Sequence, residues 1–388
     1  MKIALINTPA HQHAETHDLP EYPHLGLSYL AGATTARGHD TTVIDAKLER
    51  LGVRDVAKRI EQDRYDAVGI SAMTHDIVTA AKLADAIKTV RHELPVVVGG
   101  VHVTALPSET LTDFVSFDYG VQGEGEGPLC ELLSAIESGA AFSAIRSVVW
   151  RSNRDVVVND RAGYLLDIDS LPRPEFGDYP NASEYHVLTS RGCPYHCVFC
   201  MSPYGRDRVR FHSIERVIED LSVISSRQPR VIKFNDENLA FKNERAITLM
   251  NRIVESGLHR IPKVASLRVD HVNRDLLVAM KSAGFTYVDY GVESGDPVVL
   301  KATKKRITME QAEEAIRLTK EVGIKVGANY IIGHPGETME SALRTIDWAV
   351  KLNADVNAFG IMVPYPGTEV ARMVAAGEGG YRLIARDW

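Results

Sequence analysis

The chain has 388 residues, 45% of them hydrophobic and 24% charged, with a formal net charge of -7. That length accommodates two domains and the composition is ordinary for a globular fold, while the acidic balance leaves no basic footprint for nucleic acid. No apolar run approaches the ~20 residues that cross a bilayer, and four cysteines, three of them clustered, do not form a disulfide framework.

In chain order, strand patterns over residues 2–7, 41–45, 67–71, 96–98 and 119–121 alternate with helical spacing over 25–37, 53–64, 76–91 and 126–137. Strands alternating with helices of this length predict an α/β fold with a parallel sheet covered on both faces. Such sheets bind ligands at the carboxyl ends of their strands. The loops there are Asn7-Thr8-Pro9, Ser71-Ala72-Met73-Thr74, Gly99-Gly100-Val101-His102-Val103-Thr104 and Gly123-Glu124-Gly125-Glu126-Gly127. Glycine lets a backbone approach a bulky ligand, and Ser or Thr bonds to it. No Gly-x-Gly-x-x-Gly follows the first strand, which argues against a dinucleotide. His11, His13 and His17 read as solvated loop residues, and Cys130 as a small buried helix residue. His102 is either a ligand contact or a turn residue bonded to backbone.

Residues 147–158 read as a β-hairpin with a polar turn, followed by a Pro-rich linker. From residue 185 the alternation resumes, with six strand-then-helix units whose strands lie at 185–189, 231–234, 263–268, 287–291, 325–332 and 357–363. This predicts a partial (β/α)6 barrel of the TIM type, with its chemistry at the carboxyl ends of the strands. The first strand runs into Cys193-Pro194-Tyr195-His196-Cys197-Val198-Phe199-Cys200, spaced Cys-x3-Cys-x2-Cys. Thiolates are soft ligands for iron–sulfur clusters, zinc and copper. Structural zinc and ordinary ferredoxin clusters take four protein ligands, and the triplet offers three. By themselves these residues leave a zinc knuckle or three unrelated buried thiols open.

With Phe199 before the last cysteine, and Asn235-Asp236-Glu237-Asn238, Ser266 and Arg268, Gly291-Val292-Glu293-Ser294-Gly295, Tyr330-Ile331-Ile332-Gly333-His334-Pro335-Gly336-Glu337 and Val363-Pro364-Tyr365-Pro366-Gly367 in order at strand ends, residues 185–370 resemble the radical S-adenosylmethionine (SAM) enzymes. The resemblance implies a 4Fe-4S cluster on Cys193, Cys197 and Cys200, with one iron open to the amino and carboxylate groups of SAM. It further implies that Asn235, Asp236 and Glu237 lie by the SAM amino group, Ser266 and Arg268 by its carboxylate, and Glu293 by its ribose or methionyl part. Phe199, Ile331, Gly333 and Val363 complete the implied SAM contacts.

Pro23-His24-Leu25-Gly26 together with Gly99-Gly100-Val101-His102 and Gly123-Glu124-Gly125-Glu126 resembles the Rossmann-like cobalamin-binding domain that precedes many such barrels. Thr8, Ser71, Thr74, Gly99, Gly100, His102, Thr104, Gly123 and Glu124 are the implied cobalamin contacts. Glu124 and Glu126 suit either the corrin's amide side chains or a helix N-terminus. The Asp-x-His-x-x-Gly signature is absent, which implies a base-off cofactor without a histidine on cobalt. The expected domains are 1–142 (cobalamin-binding), 143–184 (hairpin and linker), 185–372 (radical SAM barrel) and 373–388 (start of a C-terminal extension). The implied function is radical cleavage of SAM to methionine and a 5′-deoxyadenosyl radical, used for cobalamin-dependent methylation of an unactivated carbon. Oxidative cyclisation of the anaerobic magnesium-protoporphyrin cyclase type is the alternative, and a redox or metal-binding protein is the rival of another class. A methylthiotransferase needs three more cysteines in the first domain, where only Cys130 exists. A small-molecule substrate, an external electron donor such as flavodoxin or ferredoxin, and a reduced cytoplasmic setting follow as expectations.

Overall fold

The computed structural model describes residues 1–10, 20–153, 155–202, 205–206 and 208–382. His11, His13 and His17 lie outside these residues, as does the end of the expected C-terminal extension, 383–388. The chain forms two compact units, the first Met1–Ser183 and the second starting at Glu184.

The first unit is built on β1 (Lys2–Asn7), β2 (Asp40–Asp45), β3 (Ala67–Ser71), β4 (Val96–Gly99), β5 (Tyr119–Val121), β6 (Val148–Ser152) and β7 (Asp155–Val158). Among the described residues they make one sheet in the order β2-β1-β3-β4-β5-β6-β7. β1 to β5 are parallel, and the hairpin β6–β7 extends the sheet by antiparallel pairing of β6 on β5. The order 2-1-3-4-5 is doubly wound, with its switch point between β1 and β3, where such sheets receive ligands. Ile6, Ile44, Val68, Ile70, Val96 and Val98 of the strands pack with Val56, Ile60, Ile77, Leu83 and Ile87 of the helices Val53–Asp63 and Ile77–Val90. Buried residues at helical spacing place one face of each helix on the sheet. The stretch after β4 is not an extended loop. It turns at Gly100 into the short helices Val101–Ala105 and Pro107–Asp113.

The linker packs back onto helix Leu25–Ala36. Tyr179 is buried and its hydroxyl donates to the His24 carbonyl (3.0 Å), while the Glu175 amide donates to the Ser28 carbonyl (2.9 Å). The Arg173 carbonyl lies so close to Gly32 that a Cβ there would sit 2.0 Å from it. Gly32→Ala must therefore displace linker backbone. The expected result is a loss of about 1–3 kcal/mol in the first unit, the range for overpacking, measured by chemical denaturation. An unchanged midpoint would contradict this packing.

The second unit carries β8 (Glu184–Val187), β9 (Ser190–Arg191), β10 (Arg210–Phe211), β11 (Val231–Phe234), β12 (Lys263–Leu267), β13 (Phe285–Glu293), β14 (Lys325–Ile332) and β15 (Val356–Ile361). Six of them form an all-parallel sheet in sequential order, β8-β11-β12-β13-β14-β15. Right-handed crossovers added in one direction put every connecting helix on the same face. Ile232, Phe234, Ala265, Val288 and Tyr290 are buried toward those helices. Ser266 on the central strand β12, and Asn235 at the end of β11, are exposed on the opposite face. Parallel sheets are ordinarily covered on both faces, so this polar inner face is the open lumen of a partial barrel. Among the described residues no helix is long and apolar enough to cross a membrane.

Candidate functional site

The cysteine loop leaves the sheet at the top of β8. Its base is closed by a two-residue antiparallel ladder, Ser190–Phe211 and Arg191–Arg210, on β9 and β10. Within it the Cys193 amide donates to the Gly205 carbonyl (3.1 Å) and the Cys200 amide to the Cys197 carbonyl (3.2 Å). Val198, between the second and third cysteines, is buried and held from both sides. Its amide donates to the Thr303 carbonyl (3.0 Å), and its carbonyl accepts from the Val370 amide (3.0 Å). Arg206 donates to the carbonyls of Tyr195 (2.9 Å) and Cys200.

Several residues expected around SAM brace this loop. Asp236, at the end of β11, accepts from the Thr189 amide (3.1 Å), the Thr189 hydroxyl (2.8 Å) and the Ser190 hydroxyl (2.5 Å). Burial pushes its carboxyl pKa up, and those hydrogen bonds oppose the shift. Glu237 accepts from the Gly192 amide (2.8 Å) and the Ser202 hydroxyl, so it ties the two sides of the loop together. Arg268 forms a fork with Asp270 (3.0 and 2.9 Å), donates to the Lys305 carbonyl (2.8 Å) and lies 3.6 Å over the Tyr195 ring. That combination of bidentate pairing and stacking is specific to a guanidinium. Glu293 is buried, left-handed at φ 70°, and paired with Lys305. Lys305 also donates to the Gly291 carbonyl (2.8 Å). Asn235 and Ser266 face the open lumen, Val363 is exposed, and Ile331 and Gly333 are half-buried. Phe199 packs its ring 5.5 Å from that of His334.

The thiols of Cys193, Cys197 and Cys200 are free and half-buried. Burial pushes each of them up, Cys200 to about 12. The cations Lys305, Arg268 and Arg206 act on Cys197 in the opposite direction. Thiol ligands lose their protons to a metal, and these cations offset the charge that results. Among the described residues no three Cys, His, Asp or Glu side chains converge on one ion position. A cluster does not require that, since each of its cysteines holds a different iron. Three soft donors on one braced loop, flanked by cations, fit a 4Fe-4S cluster with an iron left for SAM.

At the carboxyl ends of β1, β3, β4 and β5 the first unit presents its other candidate site. Gly100 turns the chain at φ 105°, and a Cβ there would lie 2.5 Å from the Ala72 carbonyl. At Gly99 a Cβ would find only the Val121 carbonyl, at 4.0 Å. Gly100 is thus required by the turn and its packing on Ala72, while Gly99 leaves backbone open to a bulky ligand, which fits a corrin. The Thr8 hydroxyl donates to the Ser71 carbonyl (2.7 Å), and the Thr104 hydroxyl accepts from the Gly123 amide (2.9 Å) while donating to the Gly100 carbonyl (2.8 Å). Buried His102 places Nδ1 3.4 Å from the Thr74 hydroxyl, and burial pushes its pKa down. Two of the residues expected to face the cofactor are therefore bonded to each other. Glu124 accepts from the Leu165 amide (3.3 Å). His24 caps helix Leu25–Ala36 by accepting from the Leu27 amide (3.1 Å), and it reaches the Ser71 hydroxyl at 3.4 Å.

The sequence alone did not single out Lys305, Arg206, Thr303, Val370 or His334. His334 stands inside a quoted motif. Lys305 sits in the run Lys304-Lys305-Arg306, where nothing local separates it from its solvated neighbours.

A B12-binding-domain model matches residues 18–133 and a radical SAM superfamily model residues 187–349. The chain is 35% identical over 402 residues to an uncharacterized methyltransferase of Pyrococcus horikoshii, covering 100% of this chain and 85% of that one. It is 26% identical to the anaerobic magnesium-protoporphyrin IX monomethyl ester cyclase of Rubrivivax gelatinosus, covering 90% of this chain and 66% of the cyclase. Its fold matches the radical SAM methyltransferase TsrM from Kitasatospora setae, solved with cobalamin and a [4Fe-4S] cluster. The TM-score is 0.82 at 21% identity, covering 97% of this chain and 78% of that chain. The cobalamin-dependent SAM radical enzyme OxsB matches at TM-score 0.75 and 20% identity, covering 96% of this chain and 54% of that chain. The matched models and the relative that aligns along this whole chain agree with the braced cysteine loop and with the glycines at the ends of β4 and β5: this chain belongs to the radical SAM superfamily, with a B12-binding domain ahead of its radical SAM domain, and its cofactors are a 4Fe-4S cluster, SAM and cobalamin.

Proposed function

We propose that the protein is a cobalamin-dependent radical SAM methyltransferase acting on an unactivated carbon of a small molecule. The observation that carries this is the 35% identity, along the whole chain, to a relative named a methyltransferase. When bound, the cluster and SAM supply a reductively generated radical, and cobalamin supplies a methyl carrier. The chain's own residues hold and exclude. Cys193, Cys197 and Cys200 are the cluster ligands, and Asn235, Ser266, Phe199, Ile331, Gly333 and Val363 face SAM. Asp236, Glu237 and Arg268 act through the loop they brace and Glu293 through its pair with Lys305, since their polar atoms already bond within the fold. Thr8, Ser71, Gly99, Gly100 and Gly123 border the corrin. A flavodoxin or ferredoxin as donor and a reduced cytoplasmic setting complete the reading.

The second reading is oxidative cyclisation, supported by the 26% identity to the cyclase. The test is product analysis of anaerobically reconstituted protein supplied with SAM and a reductant. S-adenosylhomocysteine formed alongside 5′-deoxyadenosine is expected for methylation. 5′-Deoxyadenosine without S-adenosylhomocysteine would move the assignment to the cyclase type. One zinc per chain and no sulfide would sink both.

A further inference from the structure

Between Cys193 and Cys197 the cysteine loop is not held by backbone. Among the described residues, 194–196 make no backbone-to-backbone hydrogen bond, whereas Val198, in the next gap, makes two. Tyr195 is fixed through side chains instead. Its carbonyl accepts from Arg206 (2.9 Å), and its ring lies under Arg268 at 3.6 Å. Its hydroxyl bonds Nε2 of His271, and the two rings meet edge to face with centroids 5.6 Å apart. His271 follows β12 in the short turn Val269–His271. Its ring stacks on Phe241, with centroids 5.8 Å and planes 23° apart, and its Nδ1 lies 3.3 Å from the Ala240 carbonyl. A carbonyl only accepts, so in the neutral ring Nδ1 carries the proton and Nε2 accepts from the Tyr195 hydroxyl. One chain of hydrogen bonds thus runs from the cysteine loop through the turn after β12 to the loop after β11.

We infer that Tyr195 and His271 are a positioning pair for the cluster, the bond between phenol and imidazole fixing the first cysteine relative to the second. This rests on Cys193, Cys197 and Cys200 being the cluster ligands. Neither side chain supplies a ligand; both act through the loop. The Tyr195 amide is turned toward the Cys193 sulfur, where it favours the thiolate. Arg268, stacked on the Tyr195 ring, acts on Cys193 and Cys197 in the same sense. Hydrogen bonds to the sulfurs and the charge around them set the reduction potential of an iron–sulfur cluster. An N–H and a cation both favour the reduced state, which carries the added negative charge. Holding Tyr195 by its hydroxyl keeps both where that electron arrives.

The test uses the full chain. In the apoprotein, timed alkylation by iodoacetamide is followed thiol by thiol with mass spectrometry. His271→Ala and Tyr195→Phe are expected to speed Cys193 and Cys197 about fivefold, the effect of one lost hydrogen bond, with Cys130 of the first unit as the unchanged reference. His271→Gln keeps an acceptor for the hydroxyl and should stay within about twofold of the wild type. After anaerobic reconstitution with iron and sulfide, His271→Ala should retain its iron, because all three thiols remain. Its cluster should titrate at a potential more negative by about 59 mV, a tenfold change in a one-electron equilibrium, and the Gln variant should return it toward the wild type. Wild-type alkylation rates and potential in the Ala variant would overturn the pair. So would a lowered Tm in both His271 variants with rates and potential unchanged, the mark of a histidine that serves stability alone. Wild-type protein that takes up no iron and sulfide would refute the cluster assignment instead, and alkylation of the apoprotein would still decide whether the pair holds the loop.

Discussion

Cys197→Ala is expected to remove SAM cleavage to background and to leave cobalamin binding intact. A cluster with one free iron has no protein ligand to spare, so losing the second of three thiolates removes the centre that binds SAM. The substitution does not take the loop apart. The clamp on Val198 from Thr303 and Val370 is made by backbone, as is the Ser190–Phe211 and Arg191–Arg210 ladder at the base. The first unit carries its own sheet and core within Met1–Ser183, so a corrin bound there keeps its spectrum. The checks are chromatography for methionine and 5′-deoxyadenosine, iron content, and the visible spectrum of bound cobalamin. Cleavage retained by the variant would refute the cluster assignment. Cobalamin lost along with the iron would refute the independence of the first unit.

Lys305→Met should cost the second unit about 3–5 kcal/mol, the range for removing one partner of a buried ion pair. The side chains of Lys305 and Glu293 are 9% and 6% exposed. Without the lysine, Glu293 keeps a buried charge at a residue already in the left-handed region, where a side chain is strained. Urea denaturation of the full chain, followed by a probe in the second unit, measures the loss. Adding Glu293→Gln should recover much of it, because the uncompensated charge is then gone. A loss below about 1 kcal/mol would place the pair among those that contribute nothing measurable. Lys305 also acts on Cys197, so the single variant is expected to hold less iron after reconstitution.

What was legible in the sequence was local. The cysteine triplet fits within eight residues, and the alternation of strands and helices rests on short-range hydrophobic period. Strands such as 119–121 and 325–332 form where that period places them. Helices Val101–Ala105 and Pro107–Asp113 were missed because five and seven residues are too few to show a helical period. The two-residue ladder of β9 and β10 was missed for a similar reason, since it joins residues on either side of a long loop. Asp236 and Arg268 were visible as polar residues at strand ends, but their roles as braces depend on Thr189, Ser190 and Tyr195, which only folding brings near. Lys305 turns inward while Lys304 pairs with Glu369 at the surface, a distinction that no local pattern carries.

The clamp on Val198 bears on what loss of the cluster would cost the fold. Backbone bonds that anchor the loop at its base and at Val198 restrict its conformational freedom without any contribution from iron. Zinc-finger-like domains gain their order from the metal and unfold without it. Here the anchors at the loop's base and at Val198 are made by backbone alone. Loss of the cluster is therefore expected to leave these backbone anchors in place, since none of them is made through iron.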